Sequence, residues 1–494
     1  MLSAVEQTKP DAPRATAPTK KAQLGQFFTP PRTAQFMAAM FRPSLYHTCR
    51  LLDPGAGTGN LTSAFIERHL SEDSPFDRIE LTAYEIDHSL HEDLKRTLRA
   101  YKGPNQEKVE LSSEVLGGDF IEQAVTRIRL AHGKRFTHAL MNPPYHKISS
   151  DSTHRFLLRK AGIETVNLYS AFVALTLGLM VQGGQVVAII PRSFCNGPYY
   201  RSFRQFILER ASLRRIHLFG ARDKAFKGDD VLQENVIVLL ERGGLQRKVE
   251  VSTSTDDTFE DLETHFHPFN RIVFPDDPER FIHVPTSPEP ATIEVSQAIH
   301  SLDDLGINVS TGPVVDFRMK EHLRSMPGPG YVPLLYPGHF NGFSIEWPKA
   351  DTKKPNAIRR NHETEKWLYP SGFYCVVRRF SSKEEKRRIV ASLVRPANFD
   401  GADMLGFENH LNVFHEKRHG LPEDLALGLA VFLSSTTVDS AFRRFNGHTQ
   451  VNATDLKLMK YPARETLISL GQWAAEEGEP SQAAIDREVG RLTK

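Results

Sequence analysis

Around residue 53 the chain compresses a strand, a turn and a helix into one short unit. Leu51-Leu52-Asp53 is an apolar run that closes on Pro54-Gly55-Ala56-Gly57-Thr58-Gly59, and residues 60–69 then show helical spacing. Glycine tolerates positive φ and carries no Cβ, so a turn of this kind lets the backbone approach a ligand closely. Further strand-like runs end or lie at 81–86, 116–120, 137–141, 185–190, 215–219 and 235–241, and helical periodicity appears at 33–41 and 168–180. Such alternation predicts an α/β fold: a mostly parallel sheet of about seven strands with helices on both faces.

The length of 494 residues exceeds the size at which one core stops growing, roughly 250 to 300 residues, so more than one domain is expected. With 40% hydrophobic and 25% charged residues the composition is that of an ordinary globular protein. The longest apolar region, 171–190, is interrupted by Gln182-Gly183-Gly184-Gln185, so no membrane span is expected. Residues 1–21, rich in Pro, Ala, Thr and Lys, lack the apolar core of a signal peptide and predict a disordered leader and a cytoplasmic protein. The three cysteines, Cys49, Cys195 and Cys375, have no metal-ligand spacing, and no metal is expected. The net charge of +2 hides a local excess of eight positive charges between Lys353 and Arg395, where a polyanion can dock.

By itself the glycine turn is compatible with a dinucleotide enzyme or with a plain structural turn. Glu85, in Tyr84-Glu85-Ile86-Asp87 at the end of the next strand, is placed to accept both hydroxyls of a ribose. No phosphate-loop lysine follows the glycines, which points to a nucleoside without phosphates. After the fourth strand comes Asn142-Pro143-Pro144-Tyr145. Two prolines stiffen the backbone so that a carbonyl and the Asn142 amide oxygen converge on a planar amino group. An amine conjugated to a ring is a poor nucleophile, and two acceptors on its protons favour the pyramidal form whose lone pair can attack a sulfonium methyl. Positioning and electrostatics then carry the catalysis without a strong base. Tyr145 offers a flat face to the base.

Together with Gln26-Phe27-Phe28-Thr29-Pro30 ahead of the glycine turn, these motifs resemble the gamma class of adenine-N6 DNA methyltransferases, particularly the modification methylases of type II restriction systems. The resemblance implies a Rossmann-like, seven-stranded class I methyltransferase domain followed by a mixed α+β target-recognition domain, with S-adenosylmethionine as cofactor. With composition and periodicity it divides the chain into a leader at 1–21, a catalytic domain at 22–245, a Pro- and Asp-rich connector of irregular structure at 246–290, a target-recognition domain at 291–465 and a tail at 466–494 expected as one weak helix or a mobile end. Phe28, Thr29, Asp53, Gly55, Ala56 and Gly57 would line the methionine end of the cofactor and Glu85 the ribose. Ile86, Asp119 and Phe120 would enclose its adenine, and Asn142 would adjoin it. Asn142 and Pro143 would bind the target amino group, within a catalytic tetrapeptide completed by Pro144 and Tyr145. Tyr145 and Phe226 would sandwich the extruded base.

Three later segments look like parts of the same family: 310–318, 378–385 and 446–452. Arg378, Arg379 and Lys383 suit phosphate contacts, and His448, Gln450 and Asn452 suit base edges. The implied partner is double-stranded DNA, with a cognate restriction endonuclease acting separately and the methylase itself a monomer. Rival readings are a protein-glutamine N5 methyltransferase, whose substrate offers the same kind of NH₂, an RNA adenine methyltransferase and a cytosine-N4 enzyme, in which Ser more often replaces Asn142. A non-catalytic DNA-binding specificity subunit is the rival of another class.

Overall fold

The computed structural model describes residues 29–70, 74–101, 109–220, 234–275, 277, 279–285, 298–381, 385–445 and 450–493. The leader 1–21, Phe28, Phe226, Lys383 and His448 lie outside the described residues. The chain forms two units, Met1–Pro288 and Glu289–Lys494.

In the first unit α1 (Pro31–Ala39) precedes β1 (Thr48–Asp53), and α2 (Asn60–His69) follows the glycine turn. Next come β2 (Arg78–Tyr84), α3 (His91–Ala100), β3 (Glu110–Leu116), α4 (Phe120–Arg129) and β4 (Phe136–Met141). They are followed by α5 (Thr153–Lys160), α6 (Leu168–Leu179), β5 (Met180–Pro191), α7 (Arg201–Arg210), β6 (Ala211–Phe219) and β7 (Asn235–Arg242). Two more strands, β8 (Val249–Ser254) and β9 (Glu263–His267), complete one sheet of order β3-β2-β1-β4-β5-β7-β6-β8-β9. β1 to β5 are mutually parallel, and β7 runs antiparallel between β5 and β6. Strand order reverses between β1 and β4, and in open α/β sheets a ligand fits the crevice at the carboxyl ends of such strands.

Burial on both faces explains the nearly continuous apolar runs. β4 is buried along its whole length: Leu140 joins a layer with Phe65 and Ile189, while Ala139 and Met141 join the opposite layer with Phe120 and Phe172. The apolar stretch 171–190 is most of the buried helix α6 running directly into the central strand β5. No single helix among the described residues is long and apolar enough to cross a membrane.

The structure corrects three expectations. The third strand does not extend through 116–120 but ends at Leu116, because Gly118 takes φ +90° and the Asp119 side chain accepts the Glu122 N–H at 3.1 Å, starting α4. The segment 246–290 is no irregular connector. β8 lies parallel to β6 with Val249 and Val251 buried, and Ile272, Ile282 and Val284 join the same core. Only two apolar residues alternate in β8, too few to stand out in the sequence. The sheet therefore has nine strands, with the expected seven as its core.

The second unit is mixed α+β. One sheet orders Asn308–Thr311, Leu411–His415, Tyr374–Arg378 and Ala391–Val394, and another is built from Leu323–Arg324, Ala357–Arg359, Tyr331–Leu335, Met404–Phe407 and Leu368–Pro370. The tail at 466–494 is also corrected: it forms most of helix Arg464–Glu477 and all of Gln482–Leu492, with Leu467, Leu470, Ile485 and Val489 buried in the unit's main core. Helix Arg464–Glu477 meets helix Glu423–Leu433 through two glycines. A Cβ on Gly428 would lie 1.7 Å from the Leu467 carbonyl oxygen, and one on Gly471 1.8 Å from that of Asp424.

Candidate active site

β1, β2, β3 and β4 deliver Asp53, Glu85, Asp119 and Asn142 at or just beyond their carboxyl ends, on one edge of the sheet. The intervening turn needs its glycines unequally. Gly57 and Gly59 take φ of +55° and +92°, whereas Gly55 keeps an ordinary φ and lies against Phe172. Ala56 N–H donates to the Tyr84 carbonyl at 2.9 Å, stitching the turn to the end of β2.

Asp53 is wholly buried. Its Oδ2 accepts the Thr62 hydroxyl at 2.7 Å, while Oδ1 has no hydrogen-bond partner. Burial pushes this carboxyl up to about 7, against the Thr62 hydroxyl and the Gly55 N–H, which favour the ionised form. A buried acceptor without a donor is costly, and a cationic or N–H-bearing ligand would satisfy it. Glu85 accepts the Gly57 N–H and the Asp87 N–H, each at 2.8 Å and on separate oxygens, so its carboxylate is held in one orientation. Next to it Ile86 is 49% exposed, an apolar side chain left open at the strand end. Phe120 is instead buried edge-on against Tyr84, at 5.1 Å between ring centres, and tilted on Phe172 at 4.9 Å.

Asn142 is clamped from both ends of its amide. Nδ2 donates to the Thr29 hydroxyl at 3.1 Å, and Oδ1 accepts the Tyr145 hydroxyl at 3.0 Å. Thr29, also buried, takes the Asn60 side-chain N–H on its carbonyl at 3.1 Å, so the start of α2 supports the segment before α1. Burial pushes the Tyr145 phenol up, which keeps it a neutral donor. Pro143 is buried, and Pro144 and the Tyr145 ring are half-buried. Sequence reasoning missed Asn60, Thr62 and Phe172. Asn60 adjoins the glycine turn and could have been picked out as a polar residue opening a helix; the others carry no local signal.

Comparison with known proteins then gives the chain its family. Residues 58–226 match the Eco57I restriction-modification methylase family. Over 480 residues the chain is 54% identical to the type II methyltransferase M.BsuBI of Bacillus subtilis, spanning 96% of this chain and 94% of that one. The chain belongs to the type II DNA methyltransferases of restriction-modification systems. It is also 41% identical to the type II methyltransferase M.PstI of Providencia stuartii, over 96% of this chain and 93% of that one. The DrdV–DNA complex solved by cryo-electron microscopy shares the fold, with a TM-score of 0.50 at 13% identity over 97% of this chain and 57% of that one.

As a member of this DNA methyltransferase family the chain has DNA as its partner, and its second unit gathers the described parts of the three segments singled out in the sequence around residues 407–412. Ser310 and Thr311 pair with Val413 and Asn412, and Gly312 N–H reaches the Leu411 carbonyl at 2.8 Å. Arg379 N–H donates to the His410 carbonyl at 2.8 Å, and Val451 N–H to that of Arg379 at 2.7 Å. Among the described residues, the side chains named from sequence have partners within the chain. Arg378 pairs with Glu385, Arg379 bonds the Asn409 carbonyl and Gln450 Oε1, and Asn452 caps helix Ala453–Leu458. Beside them lies a cleft of about 240 Å³ lined by Tyr336, Lys354, Arg378, Phe380 and His410. Phe380 is 40% exposed, with Arg379 over its ring at 5.7 Å and His410 at 4.9 Å.

Proposed function

We propose that this methyltransferase modifies N6 of adenine in double-stranded DNA, with S-adenosylmethionine as methyl donor. The observation that carries the reading is the clamped Asn142 amide at the end of β4, on the edge that also holds the orphaned Asp53 oxygen. When bound, the cofactor supplies an electrophilic methyl group on a sulfonium. Asp53 would take the donor-rich methionine end, with Thr29, Gly55, Ala56 and Gly57 around it. Glu85 would hold the ribose, and Ile86 and Asp119 the adenine, with Phe120 supporting them from the core.

Asn142 Oδ1 and the Pro143 carbonyl would accept the two protons of the target amine, aiming its lone pair at the methyl group. Tyr145 would lie against the base. Reaching N6 requires the nucleotide to leave the duplex, at a cost of roughly a few kcal/mol that stacking would partly offset. Arg378, Arg379 and the cleft beside Phe380 would contact DNA, with Gln450 and Asn452 near them. The enzyme would act as a monomer in the cytoplasm, beside a separate cognate nuclease. The test is expression in a methylation-deficient host, followed by mass spectrometry of the nucleosides and modification-sensitive sequencing. N6-methyladenine at one recurring sequence is the expected result, and N4-methylcytosine or unmodified DNA refutes the reading.

A further inference from the structure

Asp119 is held by donors from two different elements. Its Oδ1 accepts the Glu122 N–H at 3.1 Å from the first turn of α4, and its Oδ2 accepts Nε2–H of His154 at 2.9 Å from α5. Burial pushes the Asp119 carboxyl up, but His154 and the Glu122 N–H outweigh it and keep the group below the usual carboxylate range. The His154 imidazole is raised by the same bond, against its own burial, with Asp119 and Glu122 as the charges facing it.

An ionised carboxylate is a pure acceptor with about four lone-pair sites, and these two donors occupy one on each oxygen. The plane of the remaining sites is therefore set by His154 as well as by the helix start. The position of His154 is fixed in turn. α5 is the first helix after Asn142-Pro143-Pro144-Tyr145, and the intervening loop is fastened by Ile148 N–H to the Val166 carbonyl at 2.7 Å and Leu168 N–H to that of His146 at 2.8 Å. Ser152 caps the helix two residues before His154.

We infer that His154 is a positioning residue for the cofactor: by donating to Asp119 Oδ2 it presents the carboxylate as an aligned acceptor for the 6-amino group of the cofactor adenine. The inference rests on the proposed role of Asp119. It also ties the loop that follows the catalytic tetrapeptide to the adenosine end of the cofactor through one hydrogen bond.

The test uses calorimetry on the full chain with two probes, S-adenosylhomocysteine and its analogue bearing oxygen in place of the 6-amino group. His154→Ala should raise Kd for the amino ligand about tenfold, the loss expected for a charge-assisted bond, and leave Kd for the oxo ligand nearly unchanged. His154→Gln, which retains an N–H donor, should restore most of the preference. Equal weakening of both ligands makes the contact a mere clasp between helices, and no weakening removes His154 altogether; either overturns the inference. Asp119→Asn separates the two levels. If it erases the amino preference while His154→Ala does not, His154 alone is excluded. If it leaves the preference intact, the role of Asp119 fails and the inference with it.

Discussion

The hydroxyl of Tyr145 donates to Oδ1 of Asn142 at 3.0 Å, so the amide oxygen proposed to receive the substrate amine is already oriented before substrate arrives. Tyr145→Phe keeps the ring and removes this bond. The expected result is a fall in kcat of about tenfold, corresponding to one hydrogen bond of roughly 1 to 1.5 kcal/mol, with DNA affinity little changed. Single-turnover methylation alongside a gel-shift titration measures both. A kcat equal to wild type would show that Thr29 alone orients the amide.

Asn142→Ala removes both the acceptor and its link to Thr29. Methyl transfer should drop by on the order of 10² to 10³-fold or more, as when a single charge-stabilising group is lost from other enzymes, while DNA binding persists. Retained turnover in a tritium-transfer assay would rule out the assigned role.

Asp53 leads to a pH dependence. Its carboxyl, pushed up to about 7 by burial, carries a proton in much of the free protein at pH 6, whereas in the proposed complex the ammonium at the methionine end of the cofactor would favour the ionised form. Binding at pH 6 should therefore release a proton, and affinity should rise with pH between about 5.5 and 7 before levelling off. Calorimetry in two buffers of different ionisation heat counts the proton directly. Asp53→Asn should bind more weakly and release none; a flat wild-type profile would contradict the proposal.

Gly428→Ala or Gly471→Ala would press a methyl group into a backbone carbonyl of the facing helix, less than 2 Å away. The helices must move apart, at a cost of about 2 to 3 kcal/mol, and the melting temperature of the second unit should fall by on the order of 5 to 10 °C. Differential scanning calorimetry would read the shift, and an unchanged transition would mean that the helices do not pack at this distance.

Arg379 has internal hydrogen bonds and also lies over the exposed Phe380 ring. If the guanidinium meets a phosphate, Arg379→Ala should lower the slope of log affinity against log salt by about one. Weakened binding with the slope unchanged assigns Arg379 to bracing the 407–412 segment instead.

What the sequence determined by itself is local. Asp53, Glu85 and Asn142 could be proposed because each follows a short apolar strand at a turn whose glycine or proline chemistry is written in adjacent residues; the glycine turn and α2 occupy the residues that periodicity assigns to them, while β1 begins earlier, at Thr48. Only the tertiary structure joined Asp119 to His154, 35 residues away, and added β8 to the sheet through its pairing with β6. The same is true of Gly428 against Leu467 and of the three segments converging on 407–412, none of which shows in the sequence around it. Turn and helix-start preferences act between neighbours in the chain, whereas sheet extension, helix packing and the orientation of a carboxylate depend on partners that meet only after the chain has folded. For that reason the motif proposed to be catalytic is legible in the sequence, and the side chains that hold it in place are not.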